Sequence, residues 1–89
     1  MADRLAQGLG TCPRVRLPWP CDANEVFAIL PRAADAALKA AGALYYQWGN
    51  RGLTVSEAPQ ADEVFVRLLP SFATRPQEVD RFIEIVRAT

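Results

Sequence analysis

Apolar residues recur along this chain at two spacings, and the change from one to the other marks out the elements. In residues 64–69 the side chains alternate, with Val64, Val66 and Leu68 on one face and Phe65, Arg67 and Leu69 on the other, which predicts a strand. Residues 25–30 are apolar on both faces, Val26, Ala28 and Leu30 against Phe27 and Ile29, and predict a central strand. Residues 14–17 alternate charged and apolar side chains and suit an edge strand, after which Pro18 and Pro20 forbid regular ladder bonding. Residues 44–48 predict an aromatic strand. The run Gly49-Asn50-Arg51-Gly52 is a turn signal that would fold Leu53-Thr54-Val55-Ser56 back as its hairpin partner.

Helical spacing fills the gaps. Residues 2–9 form a short helical piece stopped by Gly8 and Gly10. Pro31 suits the first turn of a second helix, whose Ala34, Ala37, Leu38 and Ala41 make one stripe and which Gly42 ends. Asp35 and Lys39, four apart on its outer face, can pair weakly. After a loop at 57–62 and the Arg67 strand, Thr74 or Arg75 with Pro76 opens a last helix in which Val79, Phe82, Ile83 and Val86 share a face. The order predicts an α+β domain, an open antiparallel sheet with helices packed on one face. Two short helices cannot hide Phe27, Ile29, Tyr45, Phe65 and Leu69 together, so an uncovered apolar face suited to an interface is expected.

Size and charge narrow the classes. A chain of 89 residues is one small domain, 1–89, with a modest core. Ten basic and ten acidic side chains cancel, so no basic field argues for a nucleic-acid partner. No apolar run approaches the roughly 20 residues that cross a bilayer, and the first residues lack the layout of a signal peptide, so a soluble, cytoplasmic protein is expected. Cys12 and Cys21 are the only cysteines and histidine is absent, which removes Cys/His metal clusters and the usual Cys/His or Ser/His nucleophile pairs. Both cysteines are expected to be free, structurally unimportant thiols.

The chemistry lies at Arg67, a lone charge in an apolar strand. Burying an unpaired guanidinium is costly, so a carboxylate or phosphate is expected beside it. On the strand pattern alone the alternative is an edge-strand arginine that lays its stem over the sheet and keeps its head in water. Arg75 flanks a helix start and suits a solvated or capping role, and Asn24 suits local backbone bonding. Lys39, the sole lysine, falls on the outer side of its helix. Trp19, Tyr45, Tyr46 and Trp48 are assigned to core and interface packing.

The segment Arg67-Leu68-Leu69-Pro70-Ser71-Phe72-Ala73-Thr74, followed by Glu78-Val79-Asp80-Arg81-Phe82, resembles the C-terminal end of low-specificity L-threonine aldolases, which belong to the pyridoxal-phosphate-dependent aldolase and β-eliminating lyase family. Pro18-Trp19-Pro20, Ala23-Asn24-Glu25-Val26-Phe27 and the run from Ala36-Ala37-Leu38-Lys39 to Tyr45-Tyr46-Gln47-Trp48 are similar to the same small domain, in the same order. Pro70 departs from the Thr or Cys of the family pattern. The resemblance implies the small C-terminal domain of a fold-type-I enzyme. Residues 1–10 would be the tail of an interdomain linker helix and residues 11–89 the substrate-clamping domain.

It further implies that Arg67 binds the substrate α-carboxylate while threonine or a related β-hydroxy amino acid is split into glycine and an aldehyde. The pyridoxal phosphate would be held by a separate large domain of the same protein, which supplies the cofactor lysine, its aspartate partner and a ring-stacking histidine. No cofactor-binding or catalytic residue is expected in residues 1–89 themselves, which alone would be inactive, and the full-length enzyme would be a homo-oligomer. Another lyase or an aminotransferase of the same fold, and a stand-alone α+β binding module, remain alternatives.

Overall fold

The computed structural model describes residues 2–20, 25–49, 52–69 and 75–89. Among the described residues, three helices and three strands follow one another as α1 (Ala2–Gly10), β1 (Val26–Pro31), α2 (Arg32–Ala40), β2 (Tyr46–Gln47), β3 (Glu63–Leu68) and α3 (Pro76–Arg87). The strands form one antiparallel sheet in the order β1-β3-β2, with Phe27 opposite Arg67 and Tyr46 opposite the same Arg67 on the other side. The α+β arrangement with helices on one sheet face is therefore present.

Each helix forms for a local reason. In α3 Pro76 occupies the first turn, where its missing N–H has no intrahelical acceptor to lose, and Val79, Ile83 and Val86 then fall on one buried stripe. In α2 the C-terminus closes on Gly42, whose φ of 91° only glycine adopts without strain. The Gly42 N–H donates to Lys39 O at 3.0 Å and the Ala43 N–H to Leu38 O at 3.0 Å, the paired bonds of a Schellman cap. Only Ala34 and Leu38 of the expected stripe are fully buried, and Pro31 stands just before the helix, as the last residue of β1. In α1 Leu5 and Leu9 face the core and Gly8 lies against α3.

Alternation along the strands builds two apolar layers. Val26, Ala28 and Leu30 of β1 join Val64, Val66 and Leu68 of β3 beneath the three helices, and all six are at most 4% exposed. The opposite face differs from expectation. Ile29 and Phe65 are 0% and 1% exposed, so the sheet has no open apolar face at these positions. The cover comes from irregular chain: the Trp19 ring stands edge-on to Phe27 at 4.7 Å and to Phe65 at 5.4 Å. Tyr45 is not on that face either, since its ring packs on Phe82 of α3 at 6.0 Å.

Arg16 ties this cover down. Its backbone exchanges two bonds with Ile29, at 3.1 and 2.8 Å, so the expected edge strand at 14–17 reduces to a single bridge on the outer side of β1. Its guanidinium donates to the carbonyls of Ser56, Glu57 and Ala58 and to Glu63 Oε1 at 2.7 Å, gathering the long loop against the sheet. β1 is apolar on both faces because the helices cover one and Trp19 packs on the other, yet only the Arg16 bridge lies along its outer edge, and the middle place in the sheet goes to β3.

The expected hairpin across residues 44–56 is absent among the described residues. The partner of β2 is β3, and Leu53-Thr54-Val55-Ser56 turns instead of extending. Thr54 and Glu57 form a reciprocal capping box: the Thr54 N–H donates to Glu57 Oε1 at 2.8 Å and the Glu57 N–H to Thr54 Oγ1 at 3.3 Å. That local pairing outweighs the strand preference of Thr54 and Val55. Asn50 and Arg51 lie outside the described residues.

Candidate functional site

Register places Arg67 near the end of the central strand, on the face away from the helices, between Phe27 and Tyr46. Its side chain is 27% exposed, so the guanidinium is neither in bulk water nor sealed in the core. Nη2 donates to Glu25 Oε1, which supplies the anionic partner that a charge in an apolar strand demands. The Glu25 side chain, just before β1, is itself 31% exposed. The guanidinium carbon lies 4.9 Å from the centroid of the Trp48 ring, within the range of a cation–π contact. Nε is buried and has no hydrogen-bond partner among the described residues.

Trp48 reaches Arg67 because of the sheet. Its N–H donates to Phe65 O at 2.8 Å, extending the β2–β3 pairing by one residue, so the indole falls diagonal to Arg67 on the same face. The ring also meets Phe27 edge-on at 5.9 Å. It is 39% exposed and so keeps contact with water.

The geometry can bind a carboxylate. A guanidinium presents Nε–H and one Nη–H along a single edge, in the spacing of two carboxylate oxygens. Glu25 engages one end of that edge, and among the described residues the other end has no acceptor.

The remaining candidates lie elsewhere. Lys39 is on the outer face of α2, 55% exposed, in an ion pair with Asp35 at 3.2 Å. Asp35 also accepts the Tyr45 hydroxyl, and burial, with this bond and the carboxylate charge behind it, pushes the Tyr45 pKa well above its ordinary value. Arg75 precedes α3 and donates from Nε to Glu78 at 3.0 Å, an exposed pair of structural character. Cys12 is a buried free thiol; Cys21, Asn24 and Pro70 lie outside the described residues. A cleft of about 210 Å³ between Leu5, Tyr45, Leu68, Leu69, Val79 and Phe82 is separate from the Arg67 guanidinium. No helix is long and apolar enough to cross a membrane among the described residues.

Glu25 and Trp48 were not legible as site residues from the sequence. The need for an anion beside Arg67 was, but Glu25 is 42 positions away and only strand register brings the two together. For Trp48 the missing signal was the β2–β3 pairing, since residues 44–48 were expected to pair with residues 53–56.

No protein-family model matches the sequence, and no curated protein matches it. Among solved structures, the Leishmania major threonine aldolase superposes with a TM-score of 0.76 at 29% sequence identity, over 98% of this chain and 22% of that one. The shared part is thus nearly all of this chain and about a fifth of its neighbour. Over that span, the chain is similar in fold and in sequence to a small domain of a threonine aldolase.

Proposed function

We propose that the chain is the substrate-clamping small domain of a pyridoxal-phosphate-dependent aldolase, which cleaves threonine or a related β-hydroxy amino acid to glycine and an aldehyde. The observation that carries this reading is Arg67, 27% exposed at a sheet end, with one edge of its guanidinium only partly used by Glu25 among the described residues. A substrate carboxylate accepting from both Nε and Nη2 fills that edge, and two parallel bonds fix the substrate in orientation as well as in place.

The residues of this chain do not fit a pyridoxal-phosphate site. The sole lysine is paired with Asp35 on an outer helix face, and the glycines of α1 lie inside a helix rather than in a phosphate-cradling loop. The cofactor therefore belongs to a large domain of the same protein, which works together with this one, and assembly as a homo-oligomer is part of the same expectation. The contribution of residues 1–89 is to bind and orient the amino acid.

The Glu25 pair favours a second reading, in which Arg67 is a strut between the ends of β1 and β3 and binds nothing else. Threonine cleavage by the full-length protein separates the two. Arg67→Ala is expected to lower catalytic efficiency by roughly 30-fold to a few thousand-fold, because loss of one partner from a desolvated charge pair costs about 2–5 kcal/mol. Arg67→Lys keeps the charge without the planar edge and falls between. Near-normal efficiency in Arg67→Ala overturns the clamp, and a variant that fails through loss of fold alone points to the strut.

A further inference from the structure

We propose that Trp48 is a positioning residue for Arg67, setting the plane of the guanidinium so that its Nε–Nη2 edge faces the incoming carboxylate. The inference rests on the clamp reading of Arg67 and adds a residue to it. An arginine stem has several rotatable bonds, and a single hydrogen bond to Glu25 leaves the guanidinium free to turn about it. A planar group lying 4.9 Å from the centroid of an aromatic ring is restrained in tilt, the freedom that one hydrogen bond does not remove.

The ring is itself held firmly enough to serve as such a stop. The Trp48 backbone is bonded to β3 at Phe65, and the indole leans edge-on against Phe27, which leans in turn against Trp19 at 4.7 Å. Arg67 and Trp48 are thus diagonal neighbours across one strand pair, and the aromatic row behind Trp48 backs the ring.

Steady-state kinetics of the full-length protein on threonine test this with three variants. Trp48→Leu keeps an apolar side chain but removes the aromatic face, and is expected to raise KM about three- to thirtyfold with little change in kcat. Trp48→Phe keeps a face for the guanidinium and should recover most of that loss. In an Arg67→Ala background, Trp48→Leu should add almost nothing, because it acts through Arg67. An unchanged KM in Trp48→Leu, or equal losses with and without Arg67, overturns the positioning role while leaving the clamp intact. An Arg67→Ala protein that cleaves threonine normally, or a full-length protein that cleaves no β-hydroxy amino acid, overturns both.

Discussion

Arg67 donates from Nη2 to Glu25 while the Nε of the same guanidinium, buried beside it, has no acceptor among the described residues. A buried N–H without a partner costs about 1–3 kcal/mol relative to one that is bonded, so this edge is better satisfied by a carboxylate that spans both nitrogens than by Glu25 alone. On the clamp reading, Glu25 and the substrate compete for Nη2.

Removing the charge of the competitor should therefore help the substrate. Glu25→Gln is expected to lower KM for threonine about two- to fivefold. Both partners are about a third exposed, so the lost pair should cost the fold no more than about 1 kcal/mol. Steady-state kinetics and a urea midpoint read the two effects. A raised KM at unchanged stability would mean that Glu25 supports the clamp and does not compete with it.

The contact of α1 with α3 depends on the absence of a side chain at position 8. A Cβ on Gly8 would lie 2.1 Å from Ile83 Cδ1 and 2.8 Å from Ile83 Cγ1, so the helices must move apart or Ile83 must leave its place in the core. Gly8→Ala gains up to about 1 kcal/mol of helix propensity but should lose more through overpacking, about 1–3 kcal/mol. In an Ile83→Val background, which lacks Cδ1, the same substitution should cost measurably less. Equal costs in both backgrounds would place the strain elsewhere.

The Arg16 tie predicts an acid sensitivity. Burial pushes the Glu63 carboxyl up, but hydrogen bonds from Arg16 and from the Gln60 N–H, with the Arg16 charge, hold it below the ordinary glutamate value. A carboxyl depressed in the folded state stabilises fully above its unfolded pKa, and the stabilisation is lost as pH falls from about 4.5 through the lower folded value. Glu63→Gln should flatten the stability profile in that window. Arg16→Met should loosen the loop and shift tryptophan emission to the red as Trp19 is exposed. An unchanged acid limb in Glu63→Gln would show that other carboxylates dominate; Asp80 and Glu78, also depressed through their Arg4 and Arg75 partners, are the alternatives.

Much of the fold was written in local pattern. The stripe of Val79, Ile83 and Val86, the alternation around Arg67 and the glycine stop at Gly42 each follow from the spacing of a few residues, and each is present. What was not legible depends on pairing between distant segments. Periodicity shows only two long helices, too few to cover Ile29 and Phe65, whereas the cover is Trp19 on irregular chain pinned by Arg16. The glycine-turn signal at 49–52 is locally stronger than the Thr54–Glu57 capping box and points β2 to residues 53–56, whereas its partner is β3. Only the β2–β3 pairing brings Trp48 to Arg67, so the aromatic side of the site is not legible in local pattern, whereas the lone charge of Arg67 is.

Carboxylate recognition by Arg67 is tested most directly by two small inhibitors of threonine cleavage that differ only in that group. Glycine carries the carboxylate and methylamine does not. In the full-length enzyme, Arg67→Ala is predicted to weaken inhibition by glycine roughly 30-fold or more and to leave inhibition by methylamine unchanged. Glycine binding that survives the substitution, or a loss shared equally by methylamine, would contradict the clamp.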